Sequence, residues 1–215
     1  LIGTMNPGKL SEFQRLLTDL DITLLTPSDV GINRAPDEES TSIEANARLK
    51  AQFYGAKSGL PTIADDGGFE IDALNGEPGV LSRRWPGYVA SDEQLIDYTI
   101  ERMRAVPTNK RSAQIRTIVI LRMPDGTEVM GSGVMRGVVV ESVPQKRRIT
   151  GFPFRDILWI PDRGKLYGEF TETERRQFNH SITALKPIRE YLQMRITEEK
   201  KGRRRTLSEI LSPRT

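Results

Sequence analysis

Apolar positions three and four residues apart predict three helices along the chain. The first follows Asn6, a good N-cap residue, and Pro7, which suits the first helical position. The second starts at a capping-box pattern formed by Thr41 and Glu44, and the third covers Glu174–Met194. Their core-facing residues are Leu10, Phe13, Leu16, Leu17 and Leu20, then Ile43, Ala47, Ala51 and Tyr54, and finally Phe178, Ile182, Leu185, Ile188 and Leu192, with a bend expected at Pro187.

Short apolar runs between these helices predict the strands. Residues 1–4 form the end of a strand, residues 21–27 ("DITLLTP") a second strand and residues 60–65 ("LPTIAD") a third. Residues 112–123 and 127–140 flank the turn "PDG" and predict an antiparallel hairpin. Strands that alternate with helices, followed by a hairpin and a closing helix, predict an α/β fold with a mixed β-sheet flanked by helices.

The charge pattern divides the chain. The sequence of 215 residues carries 32 Lys and Arg against 29 Asp and Glu. The excess lies in residues 198–215, because the rest has equal numbers of basic and acidic side chains. We therefore expect one domain over residues 1–197 and a basic, flexible tail over residues 198–215. Nucleic-acid binding is not expected of the domain, and a nucleic-acid-interacting protein would depend on the tail alone.

The composition narrows the classes of protein further. No apolar run approaches the roughly 20 residues that a membrane span needs, so we expect a soluble protein without membrane partners. The sequence contains no cysteine, which fits a reducing compartment and predicts a cytoplasmic location. A metal ion would need oxygen ligands or His180, the single histidine. On a continuous helix His180 faces away from the apolar stripe, so it is either exposed or part of a cleft wall.

The segment "GTMNPGK" (residues 3–9) is a candidate phosphate site. A strand that turns sharply into a helix leaves backbone N–H groups unpaired, and Lys9 follows the cap closely enough to add a positive charge. The spacing is not that of a Walker A loop. The alternative is an ordinary capped helix with a solvent-exposed lysine.

The adjacent Asp65 and Asp66 are predicted to end the third strand, and two glycines follow them. One carboxylate can face a cleft while the other accepts hydrogen bonds from local backbone. Carboxylate oxygens suit Mg²⁺, and glycines allow a nucleotide to approach the backbone closely. Glu38 and Glu39 are candidates for a further metal ligand. The alternative is an acidic turn at the end of a strand.

Five segments in this order resemble the Ham1 family, also described as inosine triphosphate pyrophosphatases. They are "GTMNPGKLSEF", "EANARLKA", "ADDGGFEIDALNGEPGVLSRRWPG", "GFPFRDILWIPDRGK" and "NHSITALKPI", and the resemblance extends over residues 1–191. It implies an elongated mixed α/β fold with two lobes and a central nucleotide cleft, and a homodimer. It also implies that Mg²⁺ supports hydrolysis of a non-standard purine nucleoside triphosphate to the monophosphate and pyrophosphate.

The resemblance also assigns roles to residues of this chain. Asp66 corresponds to the metal ligand and proton acceptor, with Glu38 or Glu39 as the acidic metal partner. Lys9 and Arg175 would neutralise charge on the departing pyrophosphate. The implied substrate contacts are Thr4, Asn6, Lys9, Gly67, Phe152, Phe154, Arg175 and His180.

The chain departs from the family pattern at three places. Gly67 replaces a serine, Arg155 stands where an acid is expected with Asp156 displaced by one position, and the Ser-His-Arg motif reads Asn179-His180-Ser181. The missing arginine would read the purine base. Ser181, a candidate substrate contact, cannot replace it; Arg155 could do so from the opposite wall, or the enzyme could prefer another base. A nucleotide-binding regulator or sensor that has lost efficient hydrolysis is the alternative.

Overall fold

The computed structural model describes residues 1–38, 40–142 and 151–211. The helices are α1 (Pro7–Leu17), α2 (Ile43–Ser58), α3 (Asp92–Arg102), α4 (Glu172–Phe178) and α5 (His180–Leu211). The strands are β1 (Thr62–Ile71), β2 (Pro78–Gly79), β3 (Ser112–Arg122), β4 (Glu128–Val139), β5 (Leu158–Ile160) and β6 (Lys165–Leu166).

The six strands form one sheet in the order β2-β1-β3-β4-β5-β6, and every neighbouring pair is antiparallel. The predicted hairpin is confirmed as β3 and β4. Ile2 and Ile63 form an isolated parallel β-bridge, which adds a parallel contact to the antiparallel sheet. The strand predicted over residues 21–27 is wrong: the segment meets Ile2 through one backbone hydrogen bond to the Leu25 carbonyl (2.8 Å), and its apolar residues serve packing rather than a strand ladder.

Strand β1 does not end at the acidic pair, which corrects the predicted boundary. The strand runs on through Gly67 and Gly68 to Ile71, paired with β3 along its whole length. Both glycines are required by neighbouring strands. A Cβ on Gly67 would lie 2.8 Å from the Arg116 carbonyl oxygen, and one on Gly68 would collide with the backbone of Gly79. The acidic pair therefore lies in the middle of a strand.

Apolar residues cover the two halves of β1 and leave its centre polar. The first half, at Ile63 and Ala64, packs against α1 and α5 on one face of the sheet. On the opposite face it packs against α2. The other half, from Phe69 to Ile71, belongs to a separate core that includes α3 and the region around β5. The centre, residues 65–68, lies between these cores, so the two lobes expected from the resemblance meet at the acidic pair.

Helices α1 and α2 agree with prediction, with one shift. Asn6 caps α1 and Pro7 begins it. The cap of α2 is Ser42, one residue after the predicted Thr41, because the Ser42 hydroxyl accepts the hydrogen bond from Ala45 N–H. The four predicted core residues of α2 are buried.

The third predicted helix is two helices. Asn179 adopts extended dihedral angles (φ −72°, ψ 132°) between α4 and α5. Because of this break, the expected inward position of Phe178 is wrong: its ring is exposed and stacks with Arg163 at 3.6 Å. Ile182 is half-buried, whereas Leu185, Ile188 and Leu192 are buried as expected. Pro187 lies inside α5.

Helix α5 continues beyond the predicted domain boundary. Residue 197 lies inside the helix, which extends to Leu211, and Lys200 forms an ion pair with Asp21 (2.7 Å). The division between domain and tail stays a prediction. Among the helices of the described ranges, none is long and apolar enough to cross a membrane.

Candidate active site

A cavity of about 530 Å³ lies where the two lobes meet. It is bounded by α1, α2, the centre of β1, the segment 151–155 and the start of α5. The predicted site residues that line it are Thr4, Asn6, Lys9, Glu38, Asp66, Gly67, Phe152, Phe154, Arg155, His180 and Ser181.

One predicted residue lies elsewhere, and another is outside the described residues. Arg175 is not among the described residues that line it, and its guanidinium donates to the Gly168 carbonyl (3.2 Å). Glu39 lies outside the described residues. Of the two candidate acidic partners, Glu38 is therefore the one whose position is known.

The start of α1 is capped by its own side chains. Asn6 Oδ1 accepts hydrogen bonds from Gly8 N–H (2.9 Å) and Lys9 N–H (3.4 Å), and Thr4 Oγ1 accepts from Asn6 N–H (3.2 Å). The N–H groups expected to be unpaired for a phosphate thus already have acceptors. The charge of Lys9, rather than free backbone donors, is what α1 offers an anion.

The two carboxylates leave opposite faces of β1, and each pairs with a lysine. Asp65 Oδ2 lies 2.6 Å from Lys9 Nζ on the side of α1, whereas Asp66 Oδ1 lies 2.8 Å from Lys50 Nζ on the side of α2. The opposite orientation was predicted; the lysine partners replace the expected backbone donors. The other oxygen of Asp65, Oδ1, is buried and has no hydrogen-bond partner among the described residues.

Lys50 joins two carboxylates from different parts of the chain. Its Nζ also lies 3.2 Å from Glu38 Oε1. Burial by itself would lower the pKa of Lys50, but the charges of Asp66, Asp65 and Glu38 outweigh it and the pKa lies above its ordinary value. Asn46 Nδ2 adds a weak hydrogen bond to Asp66 Oδ2 (3.4 Å). Lys50 is therefore a fixed positive charge at the acidic pair.

Lys50 and Asn46 were not predicted as site residues, although the helical pattern contains a signal for them. Both fall on the helical face defined by Ile43, Ala47 and Ala51, and both are buried. Polar residues on an otherwise apolar face need partners inside the protein, so such positions indicate a buried site.

These carboxylates fit a divalent metal ion. Asp66 and Glu38 already converge on one cation, the Lys50 ammonium, and Oδ1 of the adjacent Asp65 is a buried oxygen without a hydrogen-bond partner in the described part of the chain. The described residues contain no cluster of three or more His, Cys, Asp or Glu side chains that could hold a metal by themselves. One or two carboxylates completed by water and substrate phosphates are typical of Mg²⁺.

Another part of the cavity wall is aromatic. Phe154 stacks on Phe69 with ring centroids 4.5 Å apart. The guanidinium of Arg155 lies over the Phe152 ring, 4.0 Å from its centroid. Phe152 also packs on Gly8, where a Cβ would lie 2.8 Å from its ring. The aromatic part thus directly adjoins the first turn of α1.

Glu12 connects this aromatic part to α1 and α5. It lines the cavity and is buried against Arg155, whose terminal nitrogen donates to both carboxylate oxygens (3.1 and 3.2 Å). Burial alone would raise the pKa of Glu12, but the charge of Arg155 and hydrogen bonds from Asn179 and Arg155 bring it below its ordinary value. Glu12 was also missed, although it lies one helical turn before Leu16 on the apolar side of α1.

His180 begins α5 and is buried in the cavity wall, the second of its two predicted positions. Its Nδ1 lies 2.7 Å from the Tyr167 hydroxyl. Burial, with the charges of Arg155 and Lys9, lowers the pKa of His180 well below 6.5. Burial also raises the pKa of Tyr167 to about 12. Both groups are therefore neutral at pH 7.

The fold and the cavity define a two-lobed α/β protein whose cavity is lined by aromatic rings and by paired charged side chains. Comparison with known proteins gives the family: residues 1–191 match the Ham1 family, and the chain belongs to it.

Relatives and solved structures support this membership. A dITP/XTP pyrophosphatase of Thermus thermophilus is 36% identical over 190 residues, covering 88% of this chain and 89% of the relative. One from Yersinia pseudotuberculosis is 34% identical, covering 86% and 93%. The HAM1 protein from Coxiella burnetii superposes with a TM-score of 0.79 at 29% identity, covering 90% of this chain and 97% of that one.

Proposed function

We propose that this protein hydrolyses a non-standard purine nucleoside triphosphate to the monophosphate and pyrophosphate. The observation that carries this proposal is the lining of one cavity, which brings together Lys9 and Lys50 beside Asp65 and Asp66 and the rings of the segment 151–155. The names of the relatives, dITP/XTP pyrophosphatases, agree with it.

In this proposal the base lies among Phe152, Phe154 and Arg155, and the phosphates extend towards the centre of β1. Lys9 and Lys50 offset the negative charge of the triphosphate and of the departing pyrophosphate. Asp66 orients the attacking water towards the α-phosphorus and takes its proton. For this step one Asp66 oxygen must be free, and Oδ2 has the weaker contact, the 3.4 Å hydrogen bond from Asn46.

Asp66 and Glu38 would hold Mg²⁺, with Glu39 as the other candidate. When bound, Mg²⁺ would supply positive charge to the phosphate oxygens and lower the pKa of the attacking water. Arg175 has no role in this scheme while its guanidinium points to the Gly168 carbonyl; engagement of the pyrophosphate would require it to leave that contact.

A homodimer in the cytoplasm completes the proposal. Met130 and Val134 of β4 are 47% and 44% exposed. They share a sheet face with Glu128, which pairs with Arg48 of α2. An apolar strip of this kind beside a helix suits contact with a second copy of the chain. Sedimentation analysis of the wild type and of Val134→Glu would test it, since the variant should be monomeric.

The activity is tested by pyrophosphate release from ITP, XTP, dITP and the common nucleoside triphosphates, each with Mg²⁺ and with EDTA. Metal-dependent release that favours ITP or XTP is the expected result. Release that favours a common nucleotide would support the hydrolysis reaction but contradict the proposed preference for a non-standard purine. Tight triphosphate binding without pyrophosphate release would instead support a nucleotide-binding regulator or sensor. The altered motifs at Gly67 and Ser181 are the argument for that alternative.

A further inference from the structure

A tyrosine hydroxyl of α2 is buried without a hydrogen-bond partner. Tyr54 is fully buried and lines the cavity, and its hydroxyl oxygen finds no partner in the described part of the chain. A buried hydroxyl that makes no hydrogen bond costs free energy, and a phenylalanine would fill the same space without that cost. The hydroxyl therefore calls for a role beyond apolar packing.

Tyr54 continues a polar stripe on the buried face of α2. Asn46, Lys50 and Tyr54 follow one another at intervals of four residues, so their side chains lie on one face of the helix. Asn46 and Lys50 both contact the Asp66 carboxylate, at 3.4 and 2.8 Å. Tyr54 comes one helical turn after Lys50. The stripe therefore connects the hydroxyl with the carboxylate site.

The charge of Glu38 acts on this hydroxyl. Burial and the negative charge of Glu38 raise the pKa of Tyr54 above its ordinary value. The hydroxyl therefore keeps its proton at pH 7 and can donate it to an acceptor. Glu38 has an oxygen to accept it: Oε1 lies 3.2 Å from Lys50 Nζ, whereas Oε2 takes part in no hydrogen bond or ion pair between described residues.

Few contacts hold Glu38 in place. It lies outside the helices and strands and is half-buried, and Arg84 donates only a long hydrogen bond to its backbone carbonyl (3.4 Å). The contact of its carboxylate is with Lys50, which Asp66 also engages. If Glu38 leaves Lys50 to serve as a metal ligand, it loses that donor. A carboxylate ligand needs a further hydrogen bond to fix its orientation.

We propose that Tyr54 is a positioning residue for Glu38, whose carboxylate accepts a hydrogen bond from the Tyr54 hydroxyl when it leaves Lys50 to serve as a metal ligand. This inference rests on the proposed function, in which Glu38 holds the metal ion. A neutral donor suits this task, because it orients the carboxylate without a second positive charge that would repel the ion. The ring is held in place, since it fills the space beside Gly3, where a Cβ would lie 2.8 Å from Tyr54 Cδ2.

The stability of Tyr54→Phe tests whether the hydroxyl lacks a partner before metal binding. We expect its urea midpoint in EDTA to equal or exceed that of wild type, because the change removes an unsatisfied buried group and keeps the ring. Tyr191→Phe is the matched control, because Tyr191 is a half-buried tyrosine of α5 outside the cavity-lining set. A midpoint of Tyr54→Phe below those of wild type and control would show that the hydroxyl is already bonded within the protein, and would overturn the inference.

The affinity for a divalent ion tests the role of the hydroxyl without turnover. Mn²⁺ takes oxygen ligands as Mg²⁺ does, and electron paramagnetic resonance measures its free concentration. We expect the Kd for Mn²⁺ to rise about 10-fold or more in Tyr54→Phe, as for loss of a contact to a metal-binding side chain. In Tyr191→Phe it should stay within about twofold of wild type. The Mg²⁺ concentration for half-maximal pyrophosphate release should rise in Tyr54→Phe by the same factor, and saturating Mg²⁺ should restore turnover.

A double-mutant cycle tests whether Tyr54 acts through Glu38. Glu38→Gln removes the carboxylate, so the further change Tyr54→Phe should then alter the Kd for Mn²⁺, or the half-maximal Mg²⁺ concentration, by less than about twofold. If Tyr54→Phe has the same effect in Glu38→Gln as in wild type, the hydroxyl acts elsewhere and the inference is wrong.

The outcomes separate this inference from the proposed function. If pyrophosphate release by wild type depends on a metal ion and Tyr54→Phe keeps the wild-type Kd and half-maximal Mg²⁺ concentration, the role of Tyr54 is wrong and the hydrolase remains. If no triphosphate is cleaved but Tyr54→Phe weakens Mn²⁺ binding through Glu38, the role of Tyr54 holds and the proposed activity is wrong. A wild type that neither binds Mn²⁺ nor needs a metal ion would overturn this inference and the proposed metal site together.

Discussion

The ammonium group of Lys50 lies 2.8 Å from Asp66 Oδ1 and 3.2 Å from Glu38 Oε1. Lys50 is 7% exposed, so its charge is balanced inside the protein by these two carboxylates. A cation is therefore built into the acidic site, and a divalent metal ion entering it has to share these oxygens with Lys50 or displace the ammonium from them.

Replacing Lys50 with methionine should strongly destabilise the fold. The change leaves the buried carboxylate of Asp66 and the half-buried one of Glu38 without their countercharge, and we expect a loss of about 3–5 kcal/mol in the free energy of unfolding. Urea denaturation would measure it, with Lys57→Met on the exposed side of α2 as a control. Mg²⁺ should raise the Tm of Lys50→Met more than that of wild type. Equal urea midpoints for Lys50→Met and wild type would contradict the assignment.

Asp66→Asn should abolish turnover with little effect on folding. An amide keeps the size and a hydrogen bond to Lys50 but cannot accept a proton, so kcat should fall by about 10²–10⁴-fold. Pyrophosphate release gives kcat, and circular dichroism checks the fold. Asp72→Asn serves as a control, since Asp72 lies just beyond β1 in an exposed pair with Arg136. Retained turnover in Asp66→Asn would disprove the role of Asp66.

Stability should fall as the pH decreases below about 6.5, the ordinary pKa of histidine. The pKa of buried His180 is lowered in the folded state, so between that value and 6.5 only the unfolded chain binds the proton. The free energy of unfolding therefore decreases as the pH falls below 6.5, by up to about 1.4 kcal/mol per pH unit. Denaturation curves from pH 7.5 to 5 should show a shallower loss in His180→Gln. Parallel pH dependence in both proteins would rule out a lowered pKa.

Two glycine substitutions should have opposite effects on stability. In Gly68→Ala the new Cβ would meet the backbone of Gly79, which cannot move aside cheaply, and we expect a loss of about 1–3 kcal/mol or more. In Gly55→Ala, inside α2, the nearest neighbour is Thr62 Oγ1 at 3.6 Å, and the lower backbone entropy of alanine should stabilise by about 0.5–1 kcal/mol. If the urea midpoints of both variants were above that of the wild type, or both below it, this packing would be contradicted.

Local patterns predicted α1, α2 and the hairpin because their signals lie within a few residues, whereas α3 was not predicted. Asn6 caps α1 by accepting hydrogen bonds from Gly8 and Lys9, and Pro7 suits the first helical position. The alternation over residues 112–140 produces β3 and β4. The break at Asn179 was not predictable from helical periodicity. It depends on the contacts of that side chain with Glu12 and Tyr167, which are distant in sequence.

The sequence by itself determined the α/β class, the family resemblance and the residue types of the site, since motifs such as "ADDGG" are local. Only the tertiary structure decided that β1 continues through the glycines, because the reason is the backbone of β2 and β3 on either side. It also decided the partners of the charged groups: Lys50 for Asp66, Glu12 for Arg155 and Tyr167 for His180. Burial makes such pairings obligatory, and burial is a property of the whole fold rather than of any short segment.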